Sequence, residues 1–322
     1  MNIIVLANNN VFDTGLAAVL DTLATANELA ALESFPVPRF ECVVAGVRDA
    51  VQTSLGLSVP VQPAVTIRKP DWVIVPALGT KMPEPLLEVL EGRESQDAAD
   101  QLRAWHADGA RVGAACIGTF LLAESGLLSG HEATTAWWLG PLFRQRYPKV
   151  RLDERRMLVP SGDLVTAGAA MGHLELALWL VRQTSPALAD MVARYLLVDT
   201  RPSQAPYMIP MHLANADPLV QNFERWARER LHDGFSLDVA AEALNVSKRT
   251  LQRRMEAVLG KSPLSYFQDL RVERAVHLLR TSRKDIESIA MEIGYADGVT
   301  LRTLLRKRLG RGVRELRAVY DR

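Results

Sequence analysis

The chain has little of what holds small secreted modules together. Its 322 residues include only two cysteines, Cys42 and Cys116, which supply no disulfide framework and suit a reducing compartment. Six histidines are scattered without metal-ligand spacing, so neither a metal nor another cofactor is expected. The apolar start of MNIIVLANNN ends at Ala7, too short for the apolar region of a secretory leader and lacking its basic flank. No stretch of about 18 uncharged apolar residues follows, which argues against a membrane span. The cytoplasm is the expected address. Net charge is nearly absent too, at +1.

What is present points to two globular domains. The length exceeds the usual single-domain size, and 48% hydrophobic with 23% charged residues describes an ordinary folded protein. The small net charge conceals an asymmetry. Residues 218–322 hold 21 Lys and Arg against 14 Asp and Glu, while residues 1–217 hold 17 against 23. A basic domain joined to an acidic one points to a polyanionic partner for the basic half alone.

From Phe235 onward the sequence reads as short helices joined by tight turns. SLDVAAEALNVSKRTLQRRMEAVLG places one helix over 237–244, a turn at Asn245 and Val246, and a second helix over 247–258. Ser247 is a suitable N-cap, and Asn245 tolerates the left-handed backbone of an interhelical turn. Ala241, Leu244, Val246, Leu251 and Met255 recur at helical spacing and would pack the pair together. The outer side then carries Lys248, Arg249, Gln252, Arg253 and Arg254, the side chains a recognition helix offers to base edges and phosphates. The arrangement recurs in DIESIAMEIGYADGVTLRTLLRKRLG with a turn one residue longer and a second helix over 298–309. A repeated supersecondary unit is stronger evidence than either copy. Between them, a long helix beginning at Pro263 would set their spacing.

NVSKRTLQRRMEAVLGKSPLSYFQDLRVERAVHLL, followed by IAMEIGYADGVTLRTLLRKRLG, resembles the AraC/XylS family of bacterial transcription regulators. The resemblance implies base reading through Arg249, Gln252 and Arg253. In the second unit the matching positions are Gly298, Val299, Thr300 and Thr303, with Arg302 and Arg306 nearby. Leu301 and Leu305 stand where the family usually has Phe, and Val313 replaces the Pro of the closing turn. Gly298 and Val299 carry no hydrogen-bonding side chain, so the second unit is expected to favour phosphate contacts and shape.

The first 185 residues alternate strands and helices. Apolar runs at 2–7, 40–47, 72–77 and 111–116 read as buried strands; 97–108 and 170–183 have helical period. This is an α/β pattern: an open, mainly parallel sheet flanked by helices, flavodoxin-like, followed by the all-α domain of two helix-turn-helix units. Ligands of such sheets sit beyond the carboxyl ends of the strands, which directs attention to 8–13, 76–80 and Cys116. Cys116 lies where an apolar strand runs straight into a helix, a place where the helix's positive end lowers a thiol's pKa. Trp137 and Trp138 are read as neighbours on a strand, one of them inward.

RVGAACIGTFLLAESGLLSG, with ATTAWW and VTAGAAMGHLELALWLV, resembles the ThiJ/PfpI members of the class I glutamine amidotransferase-like superfamily. The fused architecture resembles the GlxA type of regulator. The resemblance makes Cys116 the residue of a nucleophile elbow and Asp13 an acidic neighbour of the thiol. Hydrolytic relatives place a His directly after the cysteine, where Ile117 stands here; fused relatives have another where Ala136 stands. His131 and His173 do not fall on the motif's base position.

The sequence is therefore read as a non-enzymatic, sequence-specific transcription regulator, more usually an activator in this family. Residues 1–185 form an effector-binding and dimerising domain, 186–217 a proline-bearing linker, and 218–322 the DNA-binding domain. The DNA-binding residues are Lys248, Arg249, Gln252, Arg253, Thr300, Arg302, Thr303 and Arg306. The effector pocket is assigned to Asp13, Leu78, Gly79, Cys116, Ile117 and Trp137. Partners are double-stranded operator or promoter DNA, a small-molecule effector, RNA polymerase and a second copy of the chain. The resemblance implies small nitrogenous effectors such as amino acids and quaternary amines. Two other readings stay open: a cysteine-dependent hydrolase or amidase with an attached DNA-binding module, and a thiol redox sensor using Cys116.

Overall fold

The computed structural model describes residues 1–209 and 217–318 and separates into two compact units, Met1–Gln204 and Ala205–Arg322. The first unit runs in the order β1 (Asn2–Leu6), α1 (Asp13–Leu32), β2 (Glu41–Gly46), β3 (Val51–Gln52), β4 (Ser58–Val59), β5 (Gln62–Pro63), β6 (Trp72–Val75), α2 (Pro83–Glu91), α3 (Arg93–Ala107), β7 (Arg111–Ala115) and α4 (Gly118–Glu124). It continues with β8 (Glu132–Ala133), α5 (Gly140–Arg146), β9 (Arg151–Leu152), β10 (Leu158–Ser161), β11 (Leu164–Ala167), α6 (Gly172–Thr184) and α7 (Pro186–Tyr195).

The main sheet has the order β10-β11-β7-β6-β1-β2-β5, and only the β10–β11 pair is antiparallel. Alternation along β1 feeds both faces: Ile4 and Leu6 enter one core, Ile3 and Val5 the other. A sheet buried on both sides needs such continuous apolar runs, which is why its strands were readable as runs. The first core also holds residues of α2, α3 and α4; the second holds those of α1, α6 and α7. α1, of 20 residues, is long and apolar enough to cross a bilayer, with mean hydropathy 1.2 over an 18-residue stretch. Its apolarity has a local use, since Leu16, Val19, Leu23, Ala26 and Leu29 are buried in the second core.

Two sequence expectations change here. The first unit continues past 185: α7 is capped by Ser185, whose hydroxyl accepts from the Leu188 amide, and buries Leu188, Ala189 and Val192. A proline at its first position starts a helix rather than an extended connection. Trp137 and Trp138 lie in a short 3-10 turn, Trp137–Leu139, not on a strand. In the segment read as a linker, Pro210 and His212 lie outside the described residues, as do residues 319–322.

The second unit is helical: α8 (Pro218–Arg228), α9 (Leu237–Ala243), α10 (Lys248–Leu259), α11 (Pro263–Thr281), α12 (Ile286–Glu292), α13 (Gly298–Leu309) and α14 (Val313–Ala318). The sequence punctuates it clearly. Side chains of Asp217, Ser236, Ser247, Ser262, Asp285 and Asp297 each cap the helix that follows. Asn245 and Gly294 take the left-handed backbone in the two interhelical turns, at φ 54 and 83. Leu251, Met255 and Leu259 are buried on α10, and Leu301 and Leu305 on α13.

Candidate functional site

In the first unit the loops at the carboxyl ends of β1, β6 and β7 converge. Val5 pairs with Ile74 and Val75 with Ala114, so the three chains leave the sheet side by side, about 5 Å apart. The loop after β1 is zipped to its neighbours. Val11 bridges Leu78 and Thr53; the Gly79 amide donates to Asn10 O at 2.6 Å and the Ser54 amide to Val11 O at 2.9 Å. The Cys116 turn lies against the end of β6, and Cys116 and Ile117 share a core with Leu78. A Cβ at Gly118 would collide with the carbonyl oxygens of Val75 and Pro76, so only glycine permits α4 to start so close to β6.

Cys116 has φ 54, a strained position for a non-glycine residue. Its amide donates to Ala167 O at 2.7 Å, and its carbonyl accepts from the Thr135 hydroxyl at 2.8 Å. The elbow geometry is thus present, yet the thiol is 4% exposed. Burial pushes it up to about 12, outweighing the Ile117 amide and the Lys81 ammonium, which act the other way. This reverses the expectation of an acidified thiol: a helix end supplies about 1 kcal/mol, less than the desolvation it opposes. Burial also pushes the Cys42 thiol up, to about 11.

His173 is fully buried, and its desolvation holds the imidazole down at about 4. Nδ1–H donates to Ala170 O at 2.7 Å, while Nε2 accepts from the Ala77 amide at 2.9 Å. Both ring nitrogens are therefore engaged in fastening the loop after β6 to the start of α6. Asp13 opens α1. Against the cost of desolvation, hydrogen bonds from Thr53, Ser54 and the Leu55 amide hold its carboxyl below the usual range. The Ser54 hydroxyl donates to Oδ2 at 2.7 Å.

Asp13, Leu78 and Gly79 thus share the zipped loops, and Cys116 and Ile117 pack in the same core as Leu78. Thr135 ties the segment of Trp137 to the elbow. Sequence reasoning missed Ser54, Lys81 and Thr119. Ser54 grips Asp13, Lys81 lies 5.8 Å from the Phe12 ring, and the Trp138 indole donates to Lys81 O at 3.1 Å. Asn8 and Thr119 are buried, and both polar atoms of Asn8, Oγ1 of Thr119, Oγ1 of Thr80 and Oδ1 of Asp13 lack a hydrogen-bond partner among the described residues. A separate cleft of about 480 Å³ lies by β2 and α3, lined among others by Arg48, Asp49, Asp97 and Asp100; none of the expected pocket residues lines it. Among the described residues no cluster of His, Cys, Asp or Glu is placed to hold a metal ion.

In the second unit, α10 turns Leu251, Met255 and Leu259 inward and leaves Lys248, Arg249, Gln252, Arg253 and Arg254 exposed. Arg249, Gln252 and Arg253 make no hydrogen bond or ion pair among the described residues. Lys248 lies 2.7 Å from Asp238 in a pair that is open to solvent. Arg254 is committed elsewhere: its Nε donates at 2.5 Å to Asp217, a carboxylate only 3% exposed that also caps α8.

Residues 240–318 match a family described as a helix-turn-helix domain. The second unit is an AraC-type helix-turn-helix domain. Over 201 residues the chain is 27% identical to the HTH-type transcriptional regulator GbdR of Pseudomonas aeruginosa, covering 60% of this chain and 54% of that protein. It is 29% identical over 194 residues to ArgR of the same organism, covering 59% of each. The chain thus spans little more than half the length of these relatives. A solved AraC family transcriptional regulator from Pseudomonas putida aligns with TM-score 0.51 at 21% identity, over 60% of this chain and 98% of that one, a likeness of fold.

Within the AraC-type domain the second helix-turn-helix is more internally engaged than the first. The Gly298 amide donates to Glu287 at 2.6 Å, and a Cβ there would meet the same carboxylate at 2.5 Å. That contact explains glycine at a position expected to face DNA: it is buried beneath the helix start. The Thr300 hydroxyl donates to Asp297 at 3.2 Å and the Thr303 hydroxyl to Val299 O at 3.0 Å. Arg302 approaches Glu287 at 3.9 Å, Arg308 is bound by Asp269 at 2.8 Å, and Arg306 is exposed with no partner among the described residues.

Proposed function

We propose that the chain is a sequence-specific DNA-binding transcription regulator, acting as a homodimer in the cytoplasm and controlled by a small molecule bound in the first unit. The observation that carries this reading is the outward face of α10, where Arg249, Gln252 and Arg253 project unpaired from a capped, well-packed helix. Arg and Gln fork onto purine edges, and exposed Lys and Arg neutralise phosphates. Lys248, Arg302 and Arg306 take the phosphate role in this reading; Thr300 and Thr303 lie at the second groove. The full chain should converge on one sequence from a randomised duplex pool, with affinity falling steeply as salt rises. A pool that never converges overturns the reading.

For the effector we assign the loops and turn that carry Asp13, Leu78, Gly79, Cys116, Ile117 and Trp137. Buried polar atoms are normally satisfied, and the unpartnered Asn8, Asp13, Thr80 and Thr119 atoms beside these loops support a polar occupant. Contact with RNA polymerase belongs to the activator form of the proposal.

We read the first unit as non-enzymatic. A cysteine nucleophile needs thiolate character and a positioned base; the Cys116 thiol is buried and pushed upward, and both nitrogens of His173 are bonded to backbone. The same burial weighs against a redox sensor. Turnover of small amides or aldehydes that disappears in Cys116→Ser would overturn this part. So would loss of operator binding on peroxide treatment, with Cys116 oxidised.

A further inference from the structure

We propose that Val299 reads the 5-methyl group of a thymine, giving the second helix-turn-helix an apolar base contact where the first has Arg249. The inference rests on the DNA-binding reading above. The two helices align by their caps, since Ser247 and Asp297 accept from the amides of Thr250 and Thr300. Counted from those caps, Val299 corresponds to Arg249 and Thr303 to Arg253. Leu301 and Leu305 correspond to Leu251 and Met255, and all four are fully buried. With the inward faces matched, Val299 points outward as Arg249 does.

Val299 is 64% exposed and is not part of the core that Leu301 and Leu305 form with α11 and α12. A branched apolar side chain at the start of a helix adds little helix propensity, and packing does not explain it. Its surroundings make an apolar spot. The hydroxyls of Thr303 and Thr300 are turned to Val299 O and to Asp297, so neither is committed to a base edge, and Thr303 shares the face of Val299 one turn on. Arg306, two turns on and unpaired among the described residues, supplies the nearby positive charge. Only thymine presents a methyl in the major groove; the other bases would set polar edges against this surface without partners.

The test uses the full chain and the duplex site on which it converges. Each thymine in the half contacted by the second unit is replaced singly by deoxyuridine, which removes the methyl and keeps the base pair. Wild type should lose about fourfold in affinity at one position, the worth of one buried methyl. Val299→Ala, folded as judged by an unchanged melting temperature, should be indifferent to that replacement. A half-site without an invariant thymine, a site indifferent to every methyl, or a Val299→Ala protein that keeps the penalty overturns the assignment alone. A pool that fails to converge overturns the regulator reading beneath it.

Discussion

The two helix-turn-helix units share one backbone plan and differ in what they present outward. In the first, Arg249, Gln252 and Arg253 have no partner among the described residues; in the second, the equivalent face holds Val299, Arg302 near Glu287, and Thr303 bonded to its own helix. The turns differ as well. Asn245 is exposed, whereas Gly294 backs onto the buried Arg271 guanidinium and the carbonyls of Leu231 and His232. Arg271 is 7% exposed, donates to Leu231 O at 2.9 Å and lies over the rings of Phe267 and Tyr295. Repetition of a fold therefore does not repeat its chemistry. One copy is built to reach out, and the other is tied more closely to its own domain.

The largest test of that contrast is Gly294→Ala. Left-handed strain and collision with the Arg271 side chain should together cost about 2–5 kcal/mol in denaturant unfolding. A loss no greater than that of Asn245→Ala would erase the difference between the turns. Next is Arg253→Ala, expected to weaken specific binding by about 1–3 kcal/mol and to relax preference at a single base pair in the first half-site. Wild-type affinity in that variant would remove the first unit as the principal reader. Asn245→Ala should cost about 1 kcal/mol of stability, from backbone strain alone. The smallest effect is expected for Arg306→Ala: a uniform weakening across sequences, with the salt dependence reduced by about one phosphate contact. A change of base preference there would make Arg306 a base reader rather than a phosphate contact.

Legibility followed the range of the interactions. The helix start at Lys248 was readable because Ser247 caps it within three residues, and that at Pro263 because proline suits a first helical position. Strands β1, β2, β6 and β7 were readable because a sheet covered on both faces demands unbroken apolar runs; β11, equally buried, was not read. The Asp217 grip on Arg254 was not, because 37 positions separate the partners. Gln204 gave no signal either, although its amide donates to Thr135 O at 2.9 Å and Glu154 O at 3.0 Å. It closes the first unit beside the Thr135 that holds the elbow carbonyl, a junction made by residues far apart along the chain.

By itself, the sequence determined the alternation of strands and helices, the repeated helix-turn-helix, its caps and its left-handed turns, since each depends on residues a few positions apart. Tertiary structure decided the state of the side chains. It withdrew Arg254 from the groove-facing set, buried Gly298 against Glu287, engaged both nitrogens of His173, and left the Cys116 thiol protonated where its local setting implied the opposite. Solvent exposure and distant partners set those outcomes, and both arise only when the chain has folded.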